Sequence, residues 1–177
     1  HYYQHFNPSL GMAYALTRSV TLYGSWSVQN AAPTPAELSC ASPLDSCALA
    51  NFMSGDPALK QIVSQNFQAG MRGTFVVGGL NFLSIQADVY DDETRDDIEF
   101  LQSPYNPQGN GYFSNIGSVH RRGGDLAAQF DSTKWHLYAS YSRVQATYGA
   151  SFIEQSNSPN ADAAGKITVQ SLSLIHI

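Results

Sequence analysis

The amino-acid sequence predicts an all-β chain: an antiparallel up-and-down transmembrane β-barrel segment of about six strands. Three observations predict it: period-two alternation of apolar and polar residues, connections that run short and long in strict turn, and an aromatic-rich composition poor in charge. The 177 residues include 10 Tyr, 9 Phe, 2 Trp and 14 Gly, yet only 13% are charged, about half the share usual in soluble globular proteins. Such a composition suits a sheet whose outer face meets something other than water. No run approaches the roughly 18 consecutive apolar residues of a spanning helix, and mean hydropathy is -0.22; a helical membrane protein is excluded. A net charge of -5 with nine scattered basic residues argues against a nucleic-acid partner, which would need a basic face to displace phosphate counterions.

The first strand is predicted from Phe6 to Leu16, where Phe6, Pro8, Leu10, Met12, Tyr14 and Leu16 alternate with Asn7, Ser9, Gly11, Ala13 and Ala15. Thr17, Arg18 and Ser19 form a short polar turn. Alternation resumes with Val20, Leu22, Trp26 and Val28 opposite Thr21, Tyr23, Ser25 and Ser27, which completes a hairpin. Roughly thirty residues from Gln29 to about Lys60 then form a loop rich in Pro, Ala, Ser and Asp, an uncommon length for a structureless connection. The third strand sets Val63, Phe67, Ala69, Met71 and Phe75 against Ser64, Asn66, Gln68, Arg72 and Thr74. Gly78 and Gly79 supply the positive φ angles of a tight turn.

The fourth strand places Leu83, Ile85, Ala87 and Val89 opposite Ser84, Gln86, Asp88 and Tyr90, then runs into the charged stretch DDETRDDIEF before a loop at SPYNPQGNG. The fifth covers Tyr112 to about Phe130, with a kink expected at Gly123 and Gly124. After a short turn at Asp131 to Lys134, Trp135, Leu137, Ala139 and Tyr141 alternate with His136, Tyr138, Ser140 and Ser142. A polar loop, SNSPNADAAGK, follows Tyr148. Short turns therefore share one end and long loops the other, as in outer-membrane barrels with periplasmic turns and extracellular loops. The fourth and fifth strands exceed the ~9–11 residues that cross hydrocarbon, and their far ends carry most of the charge: Asp91, Asp92, Glu93, Arg95, Asp96, Asp97 and Glu99 on one, His120, Arg121, Arg122 and Asp125 on the other. Trp135 is placed at the periplasmic rim, and Trp26 and Tyr141 near the upper ends of their strands.

Searches for chemistry give little. Cys40 and Cys47 lie in the long loop with no His near enough to complete a zinc site. Two close thiols in such a loop suit a disulfide in an oxidising compartment, with a pair of reduced thiols as the alternative. The run DDETRDD suggests calcium but lacks the Gly and spacing of an EF-hand, so a solvated strand end is the better reading. The five His residues, at 1, 5, 120, 136 and 176, show no metalloprotease spacing. No nucleophile elbow, triad or phosphate loop is evident. No catalytic residue, metal ligand or cofactor is assigned, and the chain is not expected to be an enzyme.

Three segments in order resemble successive parts of TonB-dependent outer-membrane receptor barrels: APTPAEL from Ala32, DPALKQIVSQNFQAGMRG from Asp56 and YFSNIGSVHRRGGDL from Tyr112. Ser64, Asn66, Phe67, Gly70 and Arg72 fit that family's S-x-N-Y/F-E-x-G-x-R strand, with Gln68 where Glu is usual. Phe113, Asn115, Gly117, Gly123, Asp125 and Leu126 fit a later motif, Y/F-x-N-x-G-x-x-x-x-x-G-x-E/D-L. The resemblance, over about residues 6 to 155, implies roughly six strands from the C-terminal half of a 22-stranded barrel with a plugged lumen. It implies energised uptake of a scarce extracellular ligand, such as a ferric siderophore or other metal chelate, with outer-membrane lipid around the wall. TonB would be engaged through an N-terminal part absent from this sequence. A passive porin or structural barrel is the alternative, and a soluble β module a third.

The sequence opens at His1 with no readable targeting signal. Its last six residues, LSLIHI (Leu172 to Ile177), resemble the translation of a transposon-end sequencing adaptor, CTG TCT CTT ATA CAC ATC. Residues 1–171 are therefore taken as a partial barrel domain and 172–177 as foreign to it.

Overall fold

The computed structural model describes residues 2–42, 59–103, 111–155, 159–162 and 165–171. Six strands form one antiparallel sheet in sequence order: β1 (Ser9–Ala15), β2 (Val20–Ala31), β3 (Ile62–Val76), β4 (Phe82–Gln102), β5 (Gly111–Asp131) and β6 (His136–Tyr148). This is the predicted up-and-down meander, with β1 and β6 at its two edges among the described residues. A separate hairpin, β7 (Phe152–Gln155) and β8 (Lys166–Val169), follows. Among the described residues no helix is long and apolar enough to cross a membrane, which leaves crossing by strands untouched.

Local chemistry closes the short turns. The Thr17 hydroxyl accepts from the Ser19 and Val20 amides at 3.2 and 3.0 Å, and the Leu16 amide donates to Val20 O at 3.0 Å. At the β3–β4 turn Gly78 and Gly79 adopt φ of 66° and 67°, where a Cβ would be penalised. The Val77 amide donates to Asn81 O at 2.9 Å. The Ser132 amide does the same to Trp135 O at 2.8 Å in the third turn.

Strand register converts the alternation into two continuous faces, because directly paired residues point to the same side. One row of the outer face runs Tyr14, Leu22, Met71, Ala87, Leu126, Tyr141, and another runs Phe75, Leu83, Phe130, Leu137. Several side chains of this face are uncovered, with Leu126 49%, Val89 62% and Tyr141 63% exposed, while Phe75, Leu83, Ala87 and Phe130 are half-buried. Toward the long loops the same face turns polar at the row Trp26, Phe67, Asp91, Arg122, Gln145. From Phe67 to Phe75 is nine residues of β3, the length needed to cross hydrocarbon with a tilt, about 9–11. The Trp26 and Phe67 rings, 6.3 Å apart, mark the upper limit of this apolar band.

Above the band, β4 and β5 continue as a long extension with its own core. Leu101, Ile116 and Val119 are buried there, with Tyr112, Tyr148 and Phe152 packed against them. Paired irregularities at Thr94 to Ile98 create this arrangement. Asp96 has φ 54° and Gly117 φ 100°, and each marks a point where the inward-facing parity of its strand changes. Below it Asp88, Asp92 and Thr94 share the inner face with Asp125, Arg121 and Val119. Beyond it Leu101 and Ile116 join Val119.

Several expectations are corrected. β1 begins at Ser9, not Phe6, and β2 continues to Ala31. The long loop contains a short helix, α1 (Pro35–Ser39), which Thr34 and Glu37 start with a capping box. The residues on either side of the polar loop SNSPNADAAGK form two strands that the sequence did not announce, β7 and β8. Pairing with β4 is uninterrupted at Gly123 and Gly124, and the register shifts lie higher up, between Thr94 and Ile98. Tyr141 belongs to a row in the middle of the band, not its upper end, because β6 continues seven residues past it to Tyr148.

Candidate functional site

The face opposite the apolar band carries the polar side chains, and register places them in stacked layers. In the middle layer Asp88, 9% exposed, accepts from the Tyr23 hydroxyl at 3.2 Å, Gln86 Nε2 at 3.3 Å and Gln68 Nε2 at 3.4 Å. A carboxylate so deep in a sheet face is stabilised by these donors from two neighbouring strands and its own. Tyr23 lies over Gly70, its direct partner, where a Cβ would come within 2.6 Å of the ring. Tyr90 lies likewise over Gly123, at 2.4 Å. In both pairs glycine is required because an aromatic ring occupies the space its side chain would fill.

The next layer centres on Arg121. Its guanidinium approaches Asp92 and Asp97 at 3.6 Å each and donates to Thr94 Oγ1 at 3.1 Å. The Thr94 and Ser64 hydroxyls lie 3.0 Å apart. On the outer face at the same height Arg122 Nε donates to Asp91 Oδ2 at 2.7 Å. Arg95 is bonded to Glu93, and holds that carboxyl below its usual range. The acidic run of β4 is thus distributed to both faces and met by Arg121 and Arg122 of β5. Among the described residues no group of three His, Cys, Asp or Glu side chains is placed to hold a metal ion.

At the top Asn115 clamps three elements. Its Oδ1 accepts from the Lys60 amide at 2.9 Å, and its Nδ2 donates to Asp96 O at 2.6 Å and Lys60 O at 3.2 Å. The start of β3 is thereby tied to the β4 bulge, with Lys60 Nζ also 3.4 Å from Asp96. The long loop is anchored nearby, because the Phe113 amide donates to Cys40 O at 2.7 Å. Burial raises the Tyr148 phenol, with Glu99, Glu154 and Asp97 adding to the effect. The result is an inward-facing vestibule with a small apolar core, walled by charged and amide side chains. This surface can bind and guide a polar solute.

Of the residues singled out from sequence, Cys40 follows α1 and is half-buried, while Cys47 lies outside the described residues. The motif residues Asn115 and Gly117 sit together at the double bulge, and Gly70 and Gly123 lie under tyrosines. Asp88 was visible only as one polar position among several. Its role as a hub depends on strand register, which alternation does not supply; the cue was an acid flanked by Gln86 inside an otherwise uncharged stretch.

Toward the short turns the inner face forms a groove of about 520 Å³ lined by Arg18, Arg72, Thr74, Gln86, Gln129 and Tyr138, among others. Gln129 of this lining donates to Asp131 at 2.8 Å, and His136 Nδ1 is 2.9 Å from Asp131 Oδ1, a hydrogen bond that lowers the Asp131 pKa.

No curated protein matches the chain. The family model for "TonB dependent receptor-like, beta-barrel" matches residues 1–170. That family comprises outer-membrane receptors and transporters, not enzymes. With nearly the whole length matched and the six-stranded meander in place, the chain belongs to the TonB-dependent receptor-like β-barrel family.

Proposed function

We propose that this chain is part of the wall and extracellular vestibule of a receptor for energised uptake of a scarce ligand across the outer membrane of a Gram-negative bacterium. The ligand class is a ferric siderophore or another metal chelate, and TonB acts through a part of the receptor outside this chain. The observation that carries the reading is the opposite polarity of the two faces over one nine-residue band. The exposed row through Leu126 and Tyr141 suits lipid, and the layers at Asp88 and Arg121 suit a wet interior. A porin wall has the same polarity, but the family match favours the receptor. In this reading Cys40 and Cys47 form a disulfide that clips the loop over the vestibule.

Uptake of radiolabelled ferric siderophores into cells with and without the intact receptor tests the proposal. Receptor-dependent uptake should disappear when a protonophore collapses the proton-motive force and when TonB is deleted. Uptake that survives both treatments would establish the passive porin instead.

A further inference from the structure

The outer face carries a groove of about 800 Å³ at the upper half of the apolar band. Leu22, Met71, Val89, Leu126 and Tyr141 form its apolar walls. Its polar lining includes two arginines, Arg122 and Arg143, with Gln145, Asp88 and Asp125. Register puts them close together: Arg122 pairs with Gln145 and Gly124 with Arg143, so the two cations are diagonal neighbours on one face. Arg122 belongs to the row that ends the band, and Arg143 lies one row inside it, beside Gly124 and Val89.

A cation at that depth is costly unless an anion meets it. Arg122 has Asp91, whose carboxylate accepts a hydrogen bond from its Nε at 2.7 Å and leaves the rest of the guanidinium fork. Arg143 makes no ion pair among the described residues, and Gly124 beside it offers no side chain. The apolar part of the groove excludes a water-borne anion as its natural occupant, because such a ligand would leave these walls uncovered. An amphiphile satisfies both halves. Its acyl chains cover Leu22, Met71 and Leu126, and its head group meets the arginines from the long-loop side.

We infer that this groove is a lipid seat for a phosphate-bearing, multi-chain lipid of the extracellular leaflet, with Arg143 and Arg122 binding the phosphate. Arginine is suited to phosphate because its planar fork makes two parallel hydrogen bonds. A zwitterionic lipid is a poorer fit, since its own cation would face the arginine pair. The inference rests on the membrane-wall reading above.

The test uses the intact receptor, purified in detergent and examined by native mass spectrometry after incubation with lipid A, dephosphorylated lipid A or phosphatidylcholine. The wild-type receptor should retain lipid A in preference to the other two. Arg143→Gln should weaken retention about tenfold and Arg122→Gln about threefold, the order expected for charge-assisted hydrogen bonds. Arg72→Gln, on the inner face, should leave retention unchanged. Equal retention by Arg143→Gln and wild type, or of phosphorylated and dephosphorylated lipid, overturns the seat. So does a loss of thermal stability in Arg143→Gln that is the same with and without lipid A, which would assign Arg143 to a protein carboxylate. A receptor that does not fractionate with the outer membrane defeats the wall reading itself, whereas one that does but shows equal retention defeats only the seat.

Discussion

β4 and β5 each cross two regions built on opposite rules. In the band the apolar side chains of β5, Phe130 and Leu126, lie on the outer face while Asp125 points inward beside Asp88. In the extension the apolar Val119, Ile116 and Leu101 point inward and are buried, next to an inward Arg121 that meets Asp92 and Asp97, while Asp91, Arg122, Glu93 and Arg95 lie outside. The backbone ladder is common to both regions, so the difference is set by what surrounds them. Under the proposed membrane-wall reading an apolar residue faces lipid in one, and in the other it is stabilised by leaving water.

The two faces should differ most at the middle of the band. Leu126→Arg should destabilise the receptor folded in lipid vesicles by about 2–4 kcal/mol, while Ser140→Arg on the opposite face should cost under about 0.5 kcal/mol. Urea titrations of both variants measure this, and equal effects would mean that the two faces share one solvent. The extension supplies the converse. Val119→Ala removes two buried methyl groups at a site 1% exposed, and should cost about 2 kcal/mol. Hydrogen exchange should then accelerate in Leu101 to Val119 and remain slow in Leu83 to Val89; acceleration throughout would show that the two regions unfold as one.

The smallest effect lies beyond the band, at the short turns. The hydrogen bond from His136 depresses the Asp131 pKa, with a further contribution from Gln129. A depressed carboxyl adds stability above its unfolded pKa and loses it as pH falls through the folded value. His136→Ala should therefore be less stable than wild type near neutrality, and the gap should close in acid as Asp131 is protonated in both. Thermal melts across that range check it; a gap that persists below the carboxyl range would assign the His136 effect to packing.

Much of this fold was legible because a sheet with one apolar and one polar face shows period-two alternation over each strand, and Gly78 and Gly79 announce a turn of the right hand. The number and order of strands in the sheet followed. What alternation does not encode is register, and every cross-strand partnership depends on it: Tyr23 over Gly70, Arg122 with Asp91, Gln68 with Asp88. Gly123 and Gly124 suggested a kink for the same reason, since the ring of Tyr90 that calls for Gly123 is 33 positions away in sequence. The hairpin of β7 and β8 was hidden because four-residue strands are too short to display a period. α1 was hidden in a polar loop although its Thr34 to Glu37 capping box was spelled out.

The double irregularity at Asp96 and Gly117 separates heredity in the wall from heredity in the vestibule. An insertion or deletion above that level would change which side chains face inward there and leave the facing of Leu126 and Val89 unaltered, because their pairing lies below it. The ends above the bulges can thus vary in sequence without disturbing the two faces of the strands below. Asn115, which ties Lys60 to the bulge, marks the seam between the two.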